Sequence, residues 1–251
     1  MGKGKLKKFS ELETFSHVIQ APYRDLKNSD HFLKGNWNRQ FFKNDHPLVV
    51  ELGCGKGEYT VSLAEKFPEF NYIGVDIKGA RMWKGAKESF EKDMPNVGFI
   101  RTNIEIAGCF FAPGEVSEIW LTFPDPQMKK TNKRLTSTAF ISRYNRFLAD
   151  TGIIHLKTDS NFQYQYTLAM VQANNFEILT QTEDLYNSEL LNEKLQIKTF
   201  YEKQWLQRGL TIKYLAFKIH KNEPYIEPDV DIEKDDYRSF GRNAVNFEND
   251  E

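Results

Sequence analysis

From Pro47 onward, short runs of β-branched and aromatic residues alternate with longer stretches in which apolar positions recur every three or four residues. The short runs predict strands at Leu48 to Leu52, Tyr72 to Asp76, Val97 to Arg101, Glu118 to Phe123, Gly152 to Thr158, Phe176 to Thr180 and Thr211 to Ile219. The longer stretches predict helices at Glu58 to Phe67, Ala80 to Lys92, Thr138 to Ala149 and Asn161 to Ala173. Strand and helix in alternation imply an α/β domain, a mainly parallel sheet covered on both faces. The two ends lack this pattern, so three parts are expected: a basic N-terminal extension over 1–45, the folded domain over 46–220 and an acidic tail over 221–251.

Composition agrees with a packed, soluble chain, since hydrophobic residues make up 40% and charged residues 27% of the 251 residues. With 34 basic against 35 acidic residues the formal net charge is -1, so any polyanionic partner must be met by a local patch. Charge does segregate: Met1 to Lys43 holds nine basic and four acidic residues, and Lys221 to Glu251 four basic and ten acidic. The acidic tail reads as a mobile, solvated extension. Cys54 and Cys109 are too few for a disulfide framework and lack zinc-site spacing, the histidines form no metal-binding pair, and no secretion signal or membrane-length apolar run is legible. A reducing cytoplasm is expected, with no metal and no membrane; nothing in the chain specifies an oligomeric state.

Chemistry gathers at strand ends. The segment Val49-Val50-Glu51-Leu52-Gly53-Cys54-Gly55-Lys56-Gly57-Glu58 is a strand entering a glycine-rich turn that opens a helix, at the edge where doubly wound folds bind ligands. Its G-x-G-x-G spacing is neither the dinucleotide fingerprint nor a P-loop, and Glu51 would repel a pyrophosphate but could receive an ammonium. Asp76, about twenty residues after the turn, stands where a ribose-binding acid belongs, and Asn103 after the third strand can offer its amide to an adenine edge. Both residue types also cap helices, which is the competing reading.

After the fourth strand comes Thr122-Phe123-Pro124-Asp125-Pro126-Gln127-Met128-Lys129-Lys130, then Lys133-Arg134, and from Gln127 to Ala149 there are six basic residues and no acidic one. The prolines would hold Asp125 rigidly. Further on stand Lys157-Thr158-Asp159, at the end of a strand, and Thr199-Phe200-Tyr201-Glu202. Together these segments resemble the signature of the bacterial tRNA (guanine-N7)-methyltransferases, over about 42–219. The resemblance implies a Rossmann-like, doubly wound, mainly parallel seven-stranded sheet with an antiparallel last strand. It also implies S-adenosylmethionine as cofactor and methylation of a guanosine in the tRNA variable loop.

Residue by residue, it implies cofactor contacts at Glu51, Gly53, Gly55, Gly57, Asp76, Asn103 and Asp125, with Asp125 also catalytic. Substrate contacts fall to Lys129, Asp159, Thr199, Phe200, Tyr201 and Glu202. The chain departs from the family at Gln127, where Trp is usual, and in its short basic loop. Weighed against this are a methyltransferase acting on another RNA or a small molecule, an NAD-dependent oxidoreductase, which the glycine spacing disfavours, and a non-catalytic RNA-binding scaffold.

Overall fold

A computed structural model describes residues 3–26 and 29–236 of the chain. Its eight strands are β1 (Val18–Gln20), β2 (Leu48–Leu52), β3 (Asn71–Asp76), β4 (Val97–Arg101), β5 (Val116–Thr122), β6 (Leu148–Thr158), β7 (Glu177–Thr182) and β8 (Lys213–Lys218). They form one sheet in the order β1-β4-β3-β2-β5-β6-β8-β7. All neighbours are parallel except those of β8, which runs against both β6 and β7. The expected Rossmann-like sheet is present with its antiparallel strand, and gains β1 at the edge.

Among the described residues six α-helices accompany the sheet: α1 (Lys3–Leu12), α2 (Glu58–Lys66), α3 (Gly79–Glu91), α4 (Thr138–Asn145), α5 (Asn161–Ala173) and α6 (Phe200–Gln207). Successive strand residues point to opposite faces, so β2, buried throughout, feeds two cores. Val50 and Leu52 join Phe140, Tyr144 and Met170 from α4 and α5 on one face. Val49 joins Leu12, Leu63, Met82 and Ala86 from α1, α2 and α3 on the other. The sheet is therefore doubly wound, and every loop following a parallel strand's carboxyl end opens on the same edge.

The N-terminal segment is more integrated than its weak periodicity suggests. β1 pairs with β4 from Val18↔Phe99 to Gln20↔Arg101, and Leu12, Phe15, Trp37 and Phe42 are buried. A helix that buries only Leu12 and a three-residue strand whose side chains are all half-buried leave little period to read. The helix expected to reach Ala149 stops at Asn145, because Phe147 and Leu148 turn into the core to begin β6.

The start of the acidic tail is also packed. Glu227 accepts hydrogen bonds from the Thr138 hydroxyl (2.6 Å) and the Tyr166 hydroxyl, and Asp235, 7% exposed, accepts from the Ser160 hydroxyl and the Phe162 N–H (3.1 Å). These carboxylates sit at the N-terminal ends of α4 and α5, where negative charge is stabilised by the unpaired N–H groups of the first turn. The remainder of the tail, 237–251, lies outside the described residues.

Candidate active site

The turn after β2 uses its glycines for backbone reasons. Gly53, Gly55 and Gly57 have φ of 85°, 55° and 71°, a left-handed region costly for other residues. At Gly57 a Cβ would lie 2.7 Å from the Phe99 ring, so only glycine lets the turn settle on the sheet and start α2. The result is a cradle of close-approach backbone at the carboxyl edge.

A cavity of about 430 Å³ opens over this cradle, lined among others by Glu51, Gly53, Gly55, Asp76, Thr122, Asp125, Thr199, Tyr201 and Trp205. A second of about 370 Å³ shares Asp76 and Leu135 with it and continues past Ile77, Asn103 and Gln127. The two form an elongated site along the strand ends.

Glu51 is 3% exposed and accepts from the Thr60 N–H (3.0 Å) and hydroxyl (2.5 Å) through one oxygen, and from the Thr122 hydroxyl through the other. Burial outweighs these bonds and pushes its pKa up to about 7, with Asp76 adding repulsion. A buried acid on a cavity wall whose hydrogen bonds all come from neutral groups suits a cationic ligand atom.

Asp76 spends one lone pair of each oxygen on the backbone, accepting from Gly55 N–H (2.9 Å) and Lys78 N–H (2.7 Å). These bonds form an Asx turn ahead of α3 and a tie to the glycine turn; the helix itself has Lys78 as N-cap without a side-chain cap bond, so Asp76 does not cap it. Each carboxylate oxygen retains a further acceptor site. Asn103 makes no cap bond either. It precedes the 3₁₀ turn Ile104–Cys109 without a side-chain cap bond, and its exposed amide stands on the second cavity's wall.

Asp125 is exposed on the first cavity and accepts from the Gln127 N–H (3.0 Å), an Asx turn that fixes its carboxylate between Pro124 and Pro126. The flanking residues Phe123 and Gln127 take φ of 52° and 47°, unusual for residues with a Cβ, so something must hold the segment. Arg134 does so. Its guanidinium donates to the carbonyls of Pro126 (2.9 Å) and Gln127 (3.2 Å) and lies 3.8 Å from the Tyr166 ring centre and 4.8 Å from that of Phe162. Although it belongs to the all-basic run from Gln127 to Ala149, Arg134 is only 3% exposed and is a clamp on the Asp125 turn. The signal missing from its neighbours was the Phe162/Tyr166 pair, four residues apart on one face of α5.

The remaining residues divide. Thr199 and Tyr201 reach the first cavity, and Phe200, 44% exposed, carries the Lys56 ammonium 3.3 Å from its ring centre. Lys129 is exposed and outside both cavities, whereas Lys130 and Lys133 line the second. Asp159, 1% exposed, is not on either cavity wall; its backbone carbonyl accepts from Lys213 (3.3 Å). Glu202 is fully buried. It completes a capping box with Thr199 at the start of α6 and pairs with Lys157 at 2.8 Å, whose ammonium also donates to the carbonyls of Leu195 (2.9 Å) and Ile197 (2.8 Å). This network ties α6 to β6, and so carries Tyr201 to the cavity. Sequence reasoning missed Trp205, which lines the same wall and follows Tyr201 by one helical turn.

A family model described as a putative methyltransferase matches residues 45–215. A tRNA (guanine-N(7)-)-methyltransferase of Bacteroides thetaiotaomicron is 57% identical over 242 residues, covering 96% of each chain. A protein of the same name from Porphyromonas gingivalis is 56% identical, covering 92% of this chain and 96% of its own. One from Listeria monocytogenes is 34% identical over 78% of this chain. Among solved structures, the 16S rRNA methyltransferase KamB superposes with a TM-score of 0.56 at 12% identity over 72% of this chain and 91% of its own, a likeness of fold.

Proposed function

Since the chain belongs to the tRNA (guanine-N(7)-)-methyltransferase family, we propose that it transfers a methyl group from S-adenosylmethionine to N7 of a guanosine in the tRNA variable loop. The observation that carries this reading is the meeting, on one cavity, of the Gly53–Gly57 cradle with its buried acid and the clamped Asp125 turn. The donor set suits the cofactor: Glu51 for the ammonium, Gly53 and Gly55 for close approach, Asp76 for ribose hydroxyls, and Asn103 in the second cavity for the adenine edge; Gly57, expected from sequence to join them, is buried against Phe99 and off the cavity wall. When bound, S-adenosylmethionine supplies an electrophilic methyl group.

Guanine N7 carries a lone pair and no proton, so this chain needs no general base. What its residues must supply is alignment and exclusion of water, which in favourable cases is worth roughly 7 to 11 kcal/mol. Asp125, held by Gln127 N–H and the Arg134 clamp, is assigned to orient the reacting groups. Tyr201 and Trp205 are assigned to the face of the splayed base and Thr199 to its edge. Asp159 and Glu202 are assigned a supporting place behind this wall. Lys129, Lys130 and Lys133 offer charge to the tRNA backbone. Among the described residues no helix is long and apolar enough to cross a membrane, and no group of acids, histidines and cysteines is arranged to hold a metal. A substrate of this kind puts the reaction in the cytoplasm.

The test is direct: the purified protein, unmodified tRNA and methyl-labelled S-adenosylmethionine are combined and the tRNA is digested to nucleosides. Labelled 7-methylguanosine is expected. Label in another nucleoside, or in none, would refute the assignment.

A further inference from the structure

A second cationic surface forms where elements far apart in sequence meet. Helix α1 lies on α3: Phe9 rests on Gly79, where a Cβ would come 2.9 Å from its ring, and the Arg101 guanidinium lies 4.4 Å from the same ring. The Trp83 indole N–H donates to Glu11 (2.9 Å), and Leu12 is fully buried. This docking sets Lys8 with its ammonium 4.6 Å from the Trp83 ring centre. Lys56 from the glycine turn feels the charges of Lys8 and of Arg81 and Lys84 on α3, and Lys78, just before α3, lines the first cavity together with Lys56 and Arg81.

Five cations thus converge from α1, the turn after β2 and α3. Among the described residues one carboxylate, Glu58, pairs with a member of this group, meeting Lys84 at 2.6 Å, and its other oxygen accepts from the Phe200 N–H. The crowding is felt at Lys56, whose pKa is lowered first by burial and further by Lys84, Arg81 and Lys8, with Glu58 acting in the other direction. Self-repulsion of this kind at a cavity mouth is relieved by a bound polyanion.

Resting on the tRNA reading above, we infer that the α1–α3 ridge, through Lys8, Lys78 and Arg81, binds the RNA phosphate backbone on the side of the cavity away from Lys130 and Lys133. The target nucleotide then enters between two cationic strips. The ridge contributes affinity and orientation, and no base recognition.

The full-length enzyme and unmodified tRNA are titrated from low to moderate KCl, comparing native protein with Lys8→Gln, Lys78→Gln and the Lys8→Gln/Lys78→Gln pair. Each lost phosphate contact should flatten log K against log salt by about 0.9 on a duplex segment and about 0.7 on a single strand. Lys8→Arg should keep the native slope. For Lys8→Gln, KM for tRNA should rise several-fold with kcat at saturating tRNA and affinity for S-adenosylmethionine unchanged. A native slope and native KM in the double variant would overturn the inference while leaving the activity intact. Weakened cofactor affinity with an unchanged slope would overturn it in favour of a wall role. Lys78→Gln, at an exposed position outside the α1 contact, guards against simple loss of α1 docking. Failure of the native enzyme to form 7-methylguanosine would instead refute the underlying function.

Discussion

With Glu51 assigned to the S-adenosylmethionine ammonium, its buried carboxyl should make cofactor binding weaken as pH falls. Burial lifts its pKa from the ordinary 4.5 to about 7 against the pull of Thr122 and Thr60. Between those values the folded protein keeps a proton that the unfolded chain has released. Its contribution to stability is therefore full below pH 4.5 and is lost as pH rises through 7, about 3 kcal/mol in all. An ammonium beside the carboxyl favours the ionised form, so binding must first release that proton. With half of Glu51 ionised at pH 7 and about 3% at pH 5.5, affinity for S-adenosylmethionine should be about fifteenfold weaker at the lower pH. Calorimetry in two buffers of different ionisation enthalpy measures both the affinity and the protons released, expected to approach one near pH 6. Glu51→Gln should bind more weakly at pH 7 and lose the pH dependence over this range. A flat native profile without proton release would refute an ammonium contact at Glu51.

Three further outcomes are expected. Asp76→Ala should weaken S-adenosylmethionine binding by calorimetry while leaving the fold intact, and unchanged affinity would confine Asp76 to its bonds with Gly55 and Lys78. Arg134→Lys should lower kcat roughly 10- to 100-fold, the worth of charge-assisted hydrogen bonds of 1.5 to 3 kcal/mol, with the salt slope of tRNA binding unchanged because the guanidinium is buried. Lys157→Met should cost about 3 to 5 kcal/mol in denaturant unfolding by removing the cation beside buried Glu202, and Lys157→Met/Glu202→Gln should recover part of that loss.

How much was legible depended on whether the signal was local. The Gly53-x-Gly55-x-Gly57 turn, Asp76 and the Pro124-Asp125-Pro126 segment announce themselves because chain geometry and chemistry coincide within a few residues. Thr199-Phe200-Tyr201-Glu202 was read as substrate contact, although its Thr-x-x-Glu spacing is also that of a capping box, and α6 follows from it. The partner that makes Glu202 a buried ion pair, Lys157, is a whole helix and strand away. Likewise the sign of charge at Arg134 was visible, but its burial depends on rings from α5. The α1–α3 ridge is not contiguous in sequence: its cations are scattered over 8–84, Lys56 meets α3 through the bond from Gly85 N–H to its carbonyl, and Lys8 joins them through the docking of Phe9 on Gly79.

The packed part of the acidic tail extends the same reasoning to the chemistry. Glu227 accepts from the Tyr166 hydroxyl, the Tyr166 ring underlies the Arg134 guanidinium, and Arg134 grips the Pro126 and Gln127 carbonyls of the Asx turn that presents Asp125. A nucleophile with its own free lone pair leaves the protein little to do except hold atoms in line, and a misplacement of about 1 Å is then as damaging as a lost catalytic group. A turn with two residues at positive φ will not hold itself. The charges at 227 and 134, which belong in the sequence to an acidic tail and an all-basic run, are placed to hold it.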